Sequence, residues 1–182
     1  MVPIEVSMTI LWSIFGLVGM ARRFPKELGA TIGFTAMLLM LTVVGDRLGA
    51  GIFSLAAAGN PAADESLVKW FVYTGFIVMW VMFMYAGETF TFAGVWPPGR
   101  ITGAIIDLII GLLNGWIVVG TWWYYGEKLG YPMQKIGLFV PPASATAQRL
   151  VALTPLAILP DGQETRILAV LVVGLIALRV FR

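Results

Sequence analysis

The chain has 182 residues, 59% of them hydrophobic and 12% charged, with a mean hydropathy of +0.88. Its 12 basic and 10 acidic side chains are too few to cover a water-soluble fold of this size, since soluble domains are roughly a quarter charged, so the composition reads as an integral membrane protein. Cys and His are both absent, which removes disulfides, thiolate nucleophiles, iron–sulfur ligation and the commonest metal ligand, haem ligand and general base. A net charge of +2 without a basic stripe makes no case for nucleic acid. No catalytic, cofactor-binding or metal residue is assigned, and the reading is non-enzymatic.

In chain order, residues 6–21 form the first uncharged run, extended by 1–4 on the far side of Glu5. Residues 28–45, 70–87 and 101–126 follow, the last interrupted only by Asp107. Each approaches or exceeds the ~20 residues a helix needs to cross a bilayer. A fifth run, 167–178, is continued past Arg179 by Val180 and Phe181. It crosses if Arg179 snorkels and lies in the interface if it does not; spanning is the preferred reading. The fold class expected is all-α, a multi-pass transmembrane helical bundle. It divides into a four-helix core over 1–126, an external Pro-rich segment over 127–166 and a C-terminal membrane helix over 167–182.

Orientation follows from the turn Arg22-Arg23-Phe24-Pro25-Lys26-Glu27. Short basic loops stay in the cytoplasm, which places the N-terminus outside and the 46–69 and 127–166 segments outside with it. Arg100 then lies in the next internal turn. The positive charges follow the first apolar run, the order of a retained anchor and not of a cleaved signal peptide.

Between the spans, residues 49–61 are rich in Gly and Ala and predict a short interfacial helix ended by Gly59-Asn60-Pro61. The long external segment carries Pro132, Pro141, Pro142, Pro155 and Pro160. Within it, 144–153 predicts a short helix lying on the membrane or tucked against the bundle. Trp122, Trp123, Tyr124 and Tyr125 at one end of the fourth span, and Trp96 near the other, suit an aromatic belt.

The fourth span holds the most informative pattern. Gly99, Gly103, Asp107, Gly111 and Gly115 recur every four residues, and at about 100° per residue successive members share a face. Asn114 falls on the same side. Helices in lipid associate through close backbone approach and hydrogen bonds, which Gly and buried amides provide. Gly29 and Gly33 repeat the pattern more weakly on the second span. An ionised carboxylate in hydrocarbon needs a partner, so Asp107 is expected to pair with Arg100, Arg22 or Arg23, in a cytoplasmic charge cluster that also takes in Lys26 and Glu88. The other use of Asp107 is a protonatable group in an ion or proton path.

The third span is crowded with aromatics and Met. Trp70, Tyr73, Trp80 and Tyr85 offer a hydrophobic face for lipid, a quinone, a carotenoid or a partner helix, with ordinary helix packing as the plainer use.

Two segments, Gly19-Met20-Ala21-Arg22-Arg23-Phe24-Pro25-Lys26-Glu27-Leu28-Gly29 and Asp107-Leu108-Ile109-Ile110-Gly111-Leu112-Leu113-Asn114-Gly115, resemble the colicin V production family of small bacterial inner-membrane proteins. The resemblance implies a four-helix membrane core in a bacterial inner membrane and an envelope- or secretion-related role, and it brings no catalytic residues. Three functions stand side by side. One is a structural or assembly role through helix–helix contact, with lipid, other membrane subunits or a second copy as partners. Another is an accessory subunit of a respiratory or photosynthetic complex. The third is an ion- or proton-coupled channel or transporter using Asp107.

Overall fold

A computed structural model describes residues 2–86, 99–142 and 144–180. Its order is β1 (Val2–Pro3), α1 (Ile4–Arg22), α2 (Phe24–Gly59), α3 (Glu65–Ala86), α4 (Arg100–Lys128), β2 (Phe139–Val140), α5 (Ala145–Ala152) and α6 (Glu164–Val180), with a 3-10 turn at Pro132–Gln134 before β2. The architecture is all-α. Helices α1 to α4 are each long and apolar enough to cross a membrane, which makes this a multi-pass membrane bundle.

Helix α2 is the central post, the most buried of the four, and α3, α4 and α6 all pack on it. Its inner face, including Phe34, Met37, Leu38 and Leu41, joins Tyr73 and Ile77 of α3, Ile117 and Val118 of α4, and Leu168 of α6 in one core. Helix α1 packs chiefly on α4. The outward faces carry large apolar side chains, among them Leu17, Val43, Phe83, Ile101 and Val173. That arrangement suits lipid, where the solvent is as apolar as the side chains.

The 49–61 segment differs from its expected form. It is no separate interfacial helix; α2 runs unbroken from Phe24 to Gly59. Gly45 and Gly49 are buried, and a Cβ on Gly49 would lie 3.1 Å from Lys69 Cγ and 3.2 Å from the Tyr73 hydroxyl. Close approach by α3 thus keeps a Gly-rich stretch helical that propensity alone would break. The helix does end at Gly59-Asn60, where the Asn60 side chain accepts from the Ala62 N–H at 3.1 Å.

The Pro-rich segment folds back onto the bundle. Val2 and Pro3 pair in parallel with Phe139 and Val140, which puts the start of α1 and the chain beyond α4 at the same end. Met133 is fully buried against Ile4, Met8 and Trp123. Helix α5 matches the expected 144–153 element, capped by Ser144, whose Oγ accepts from the Ala147 N–H at 3.0 Å. Leu156 enters the main core, and Pro155 lies against Gly120 of α4. The expected belt is turned inward as well: Trp123 and Tyr125 are buried, and the Tyr125 ring stacks 4.3 Å from that of Tyr73. Helix α6 has 17 residues, about 25 Å, slightly less than the hydrocarbon thickness of about 30 Å.

Candidate functional site

The expected glycine seam forms along its second half. A Cβ on Gly111 would lie 2.5 Å from the Phe15 carbonyl oxygen of α1 and 2.8 Å from Gly19 Cα. One on Gly115 would lie 2.7 Å from Phe15 Cβ and 2.8 Å from Trp12 Cδ1. Gly16 and Gly19 answer from the α1 side. Two small-residue faces therefore meet backbone to backbone, the geometry lipid-embedded helices use to associate. Towards the start of α4 the stripe leaves the seam: Gly103 is half-buried and Gly99, at φ 85°, is the exposed residue before the helix. Gly33 of α2 receives a side chain of α3 instead of its backbone. Its missing Cβ leaves room for the Met84 sulfur, and its carbonyl accepts from Trp80 Nε1 at 2.9 Å.

The polar centre lies beside this seam, and its acid is Glu27. The residue sits in the first turn of α2 and is fully buried. Its Oε2 accepts from Asn114 Nδ2 of α4 at 2.7 Å and from the Tyr85 hydroxyl of α3 at 3.4 Å. Arg22, closing α1, brings Nε to 3.4 Å from Oε1 and lays its guanidinium 4.3 Å from the centroid of the Tyr85 ring. Asn114, also fully buried, is completely satisfied. Its amide donates to both the side chain and the backbone carbonyl of Glu27, the latter at 3.0 Å, and its Oδ1 accepts from the Thr31 hydroxyl at 2.7 Å. One carboxyl group thus gathers side chains from all four long helices. At this centre, among the described residues, Glu27 Oε1 and Arg22 Nη1 are buried without a hydrogen bond.

Asp107 has a task that its position in the sequence did not suggest. Its Oδ1 accepts from the Phe24 N–H at 2.5 Å. That is one of the orphan donors at the start of α2, where a negative charge also meets the favourable end of the helix dipole. Of the three cations expected to pair with Asp107 (Arg100, Arg22 and Arg23), Arg22 pairs with Glu27. Arg23 between the helices is exposed and Lys26 half-buried. Glu88 and Trp96 lie outside the described residues, as does the side chain of Arg100.

The aromatic face of α3 is also reassigned. Trp70 and Tyr73 are buried, and Trp80 and Tyr85 are half-buried. Tyr73 donates to Asp46 at 3.1 Å, and Trp80 and Tyr85 make the contacts described above. All four face into the bundle. The outward face of α3 is Phe71, Val78, Met79, Met82 and Phe83.

Glu27 was hidden because it ends a run of charges in a short basic turn, where a carboxylate ordinarily meets water. The signal that exposes it is the i, i+4 spacing of Glu27, Thr31 and Thr35, which stacks three polar groups on one face of α2. No family model matches the chain, nor does any curated protein or solved structure.

Proposed function

We propose that this protein serves as a structural or assembly element of a bacterial inner membrane, working through helix–helix contact and not through chemistry. The observation that carries the reading is the α1–α4 seam, where Gly16, Gly19, Gly111 and Gly115 bring two backbones together. That investment goes into shape, and the outer faces of α1 and α3 remain apolar for lipid or partner helices. The resemblance to the colicin V production family supports the same role, with the basic turn at Arg22 and Arg23 on the cytoplasmic side. Native mass analysis after extraction in mild detergent tests it. A defined homo-oligomer or a complex with other membrane subunits is expected, and a purely monomeric species overturns it.

A second reading, an accessory subunit in contact with a quinone or carotenoid, is favoured by one feature. An apolar groove of about 270 Å³ runs between α1 and α3 over α4, walled by Leu11, Phe15, Ile77, Val81, Val118 and Trp122. Organic extraction of the purified protein tests that reading, and a colourless extract lacking quinone removes it.

A further inference from the structure

The packing role leaves the Glu27 carboxyl unexplained. A bundle held by a glycine seam gains little from an acid in its interior: a buried ion pair often contributes less than well-packed hydrocarbon of the same volume. This pair is also imperfectly made. Arg22 Nε and Glu27 Oε1 stand 3.4 Å apart without a hydrogen bond, and Arg22 Nη1 is buried without an acceptor. The other carboxylate oxygen, Oε2, is held by Asn114 and Tyr85. One oxygen is therefore fixed and the other is buried without a hydrogen bond, beside a cation whose side chain keeps 21% of its exposure.

We propose that Glu27 is a reversible proton-binding site, loaded and emptied from the end of the bundle where α1 turns into α2. A solvent proton bonds to Oε1 and converts the carboxylate to the neutral acid. Arg22 keeps its own proton, since a guanidinium does not deprotonate in proteins. Freed of its counter-charge, Arg22 swings towards the protein surface that its side chain already reaches. On release the proton returns to solvent at the same end and Arg22 closes over Tyr85 again. Both forms are tolerable in hydrocarbon, one as a paired ion and the other as a neutral acid, whereas an unpaired carboxylate is not. Asn114 and Tyr85 hold the carboxyl in place through the exchange.

The charged and titratable groups around Glu27 come from each packed element. Among the described residues they are Arg22 on α1, Arg23 at the turn into α2, Tyr85 on α3, and Asp107 on α4, the last engaged by the Phe24 N–H. Lys26 neighbours it on α2 itself. Helix α6 carries Glu164 and Arg166 beside Thr165, which meets Thr42 at 3.5 Å, and Arg179 in its last turn. Thr42 lies about four turns along α2 from Glu27.

Infrared difference spectroscopy on the full chain in lipid nanodiscs, titrated over the pH range in which it stays folded, tests the site. A protonated-carboxyl band is expected to appear on acidification, to vanish reversibly on alkalinisation, to be absent in Glu27→Gln and to persist in Asp107→Asn. Arg22→Gln is expected to move the midpoint of the band upward by about one to three pH units, the usual effect of a neighbouring Arg on a carboxyl. No pH-dependent band in the parent, or a band that survives Glu27→Gln, overturns the proposal. Should Glu27→Gln fail to fold, the Arg22→Gln titration decides, and an unmoved midpoint overturns it equally.

Discussion

Gly19 and Gly111 stand so close that a Cβ on Gly19 would lie 2.6 Å from Gly111 Cα, and one on Gly111 2.8 Å from Gly19 Cα. Nothing larger than hydrogen fits between them, and the obstacles are backbone atoms that cannot rotate away. Gly111→Ala is expected to force α1 off α4 and destabilise the bundle by about 1–3 kcal/mol, the usual cost of overpacking, with Gly111→Ile worse. Gly174→Ala on α6, where a Cβ meets open space, is the control. Thermal unfolding in detergent measures both, and equal melting temperatures would place the seam elsewhere.

Asn114→Ala removes two donors to Glu27, one of them to its carboxylate. A hydrogen bond to a charged group contributes about 1.5–3 kcal/mol, so a loss of that size is expected. Asn114→Gln, which carries the same amide on a longer stem, should not rescue it. Chemical unfolding in mixed micelles makes the comparison.

Asp107 separates capping from ion pairing. Asp107→Asn keeps an oxygen able to accept from the Phe24 N–H, whereas Asp107→Ala does not. Losing a cap costs about 0.5–2 kcal/mol. The Ala variant is therefore expected to melt lower than the Asn variant. Equal damage from the two would show that charge, and not acceptance of a hydrogen bond, is what Asp107 supplies.

Arg23 adopts φ 69° and ψ 156° between α1 and α2, a region that glycine occupies freely and that costs other residues about 1–3 kcal/mol. Arg23→Gly is expected to raise the melting temperature by relieving that strain. A fall would mean that the contacts of the Arg23 side chain outweigh it.

Acid sensitivity should reside partly in Asp64. Hydrogen bonds from Lys135, then from Ser66 and the Leu67 N–H, hold its carboxyl well below the ordinary range. A depressed folded value stabilises at every pH above the ordinary carboxylate range and is lost only as pH falls below it. Unfolding between neutral and mildly acidic pH is thus expected to be insensitive to this pair. Asp64→Asn should flatten the decline in more acidic solution, and an unchanged acid limb would count against it. The pair is exposed, so the effect is expected to be small and salt-dependent.

The four spans were legible because each is an uncharged run of bilayer length, and the seam because glycine recurred at helical spacing on α4. Tertiary contacts decided the rest. The extension of α2 past Asp46 depends on Tyr73 and Lys69 crossing Gly49, and its Gly and Ala content pointed to a break. The Trp-Trp-Tyr-Tyr run has the composition of a belt, yet the fold-back of the Pro-rich segment covers Trp123, and Tyr73 stacks on Tyr125. Most tellingly, among the described residues two acids, Glu27 and Asp107, lie near the same end of the bundle, and nothing local ranks them. Asp107, inside an apolar run, looks the costlier of the two, but it lies across from a helix start that welcomes an anion. Glu27, inside a charged run, is the one rotated towards Asn114 and Tyr85.

The 36-residue length of α2 gives it the property of a lever. It has no proline after Pro25 and hence no built-in joint. A tilt of roughly 10° pivoted at Glu27 would sweep Gly59 sideways by about 8 Å, given a rise of about 1.5 Å per residue. A small rearrangement around one buried acid would reach the opposite face of the membrane magnified, without any signal having to pass from side chain to side chain.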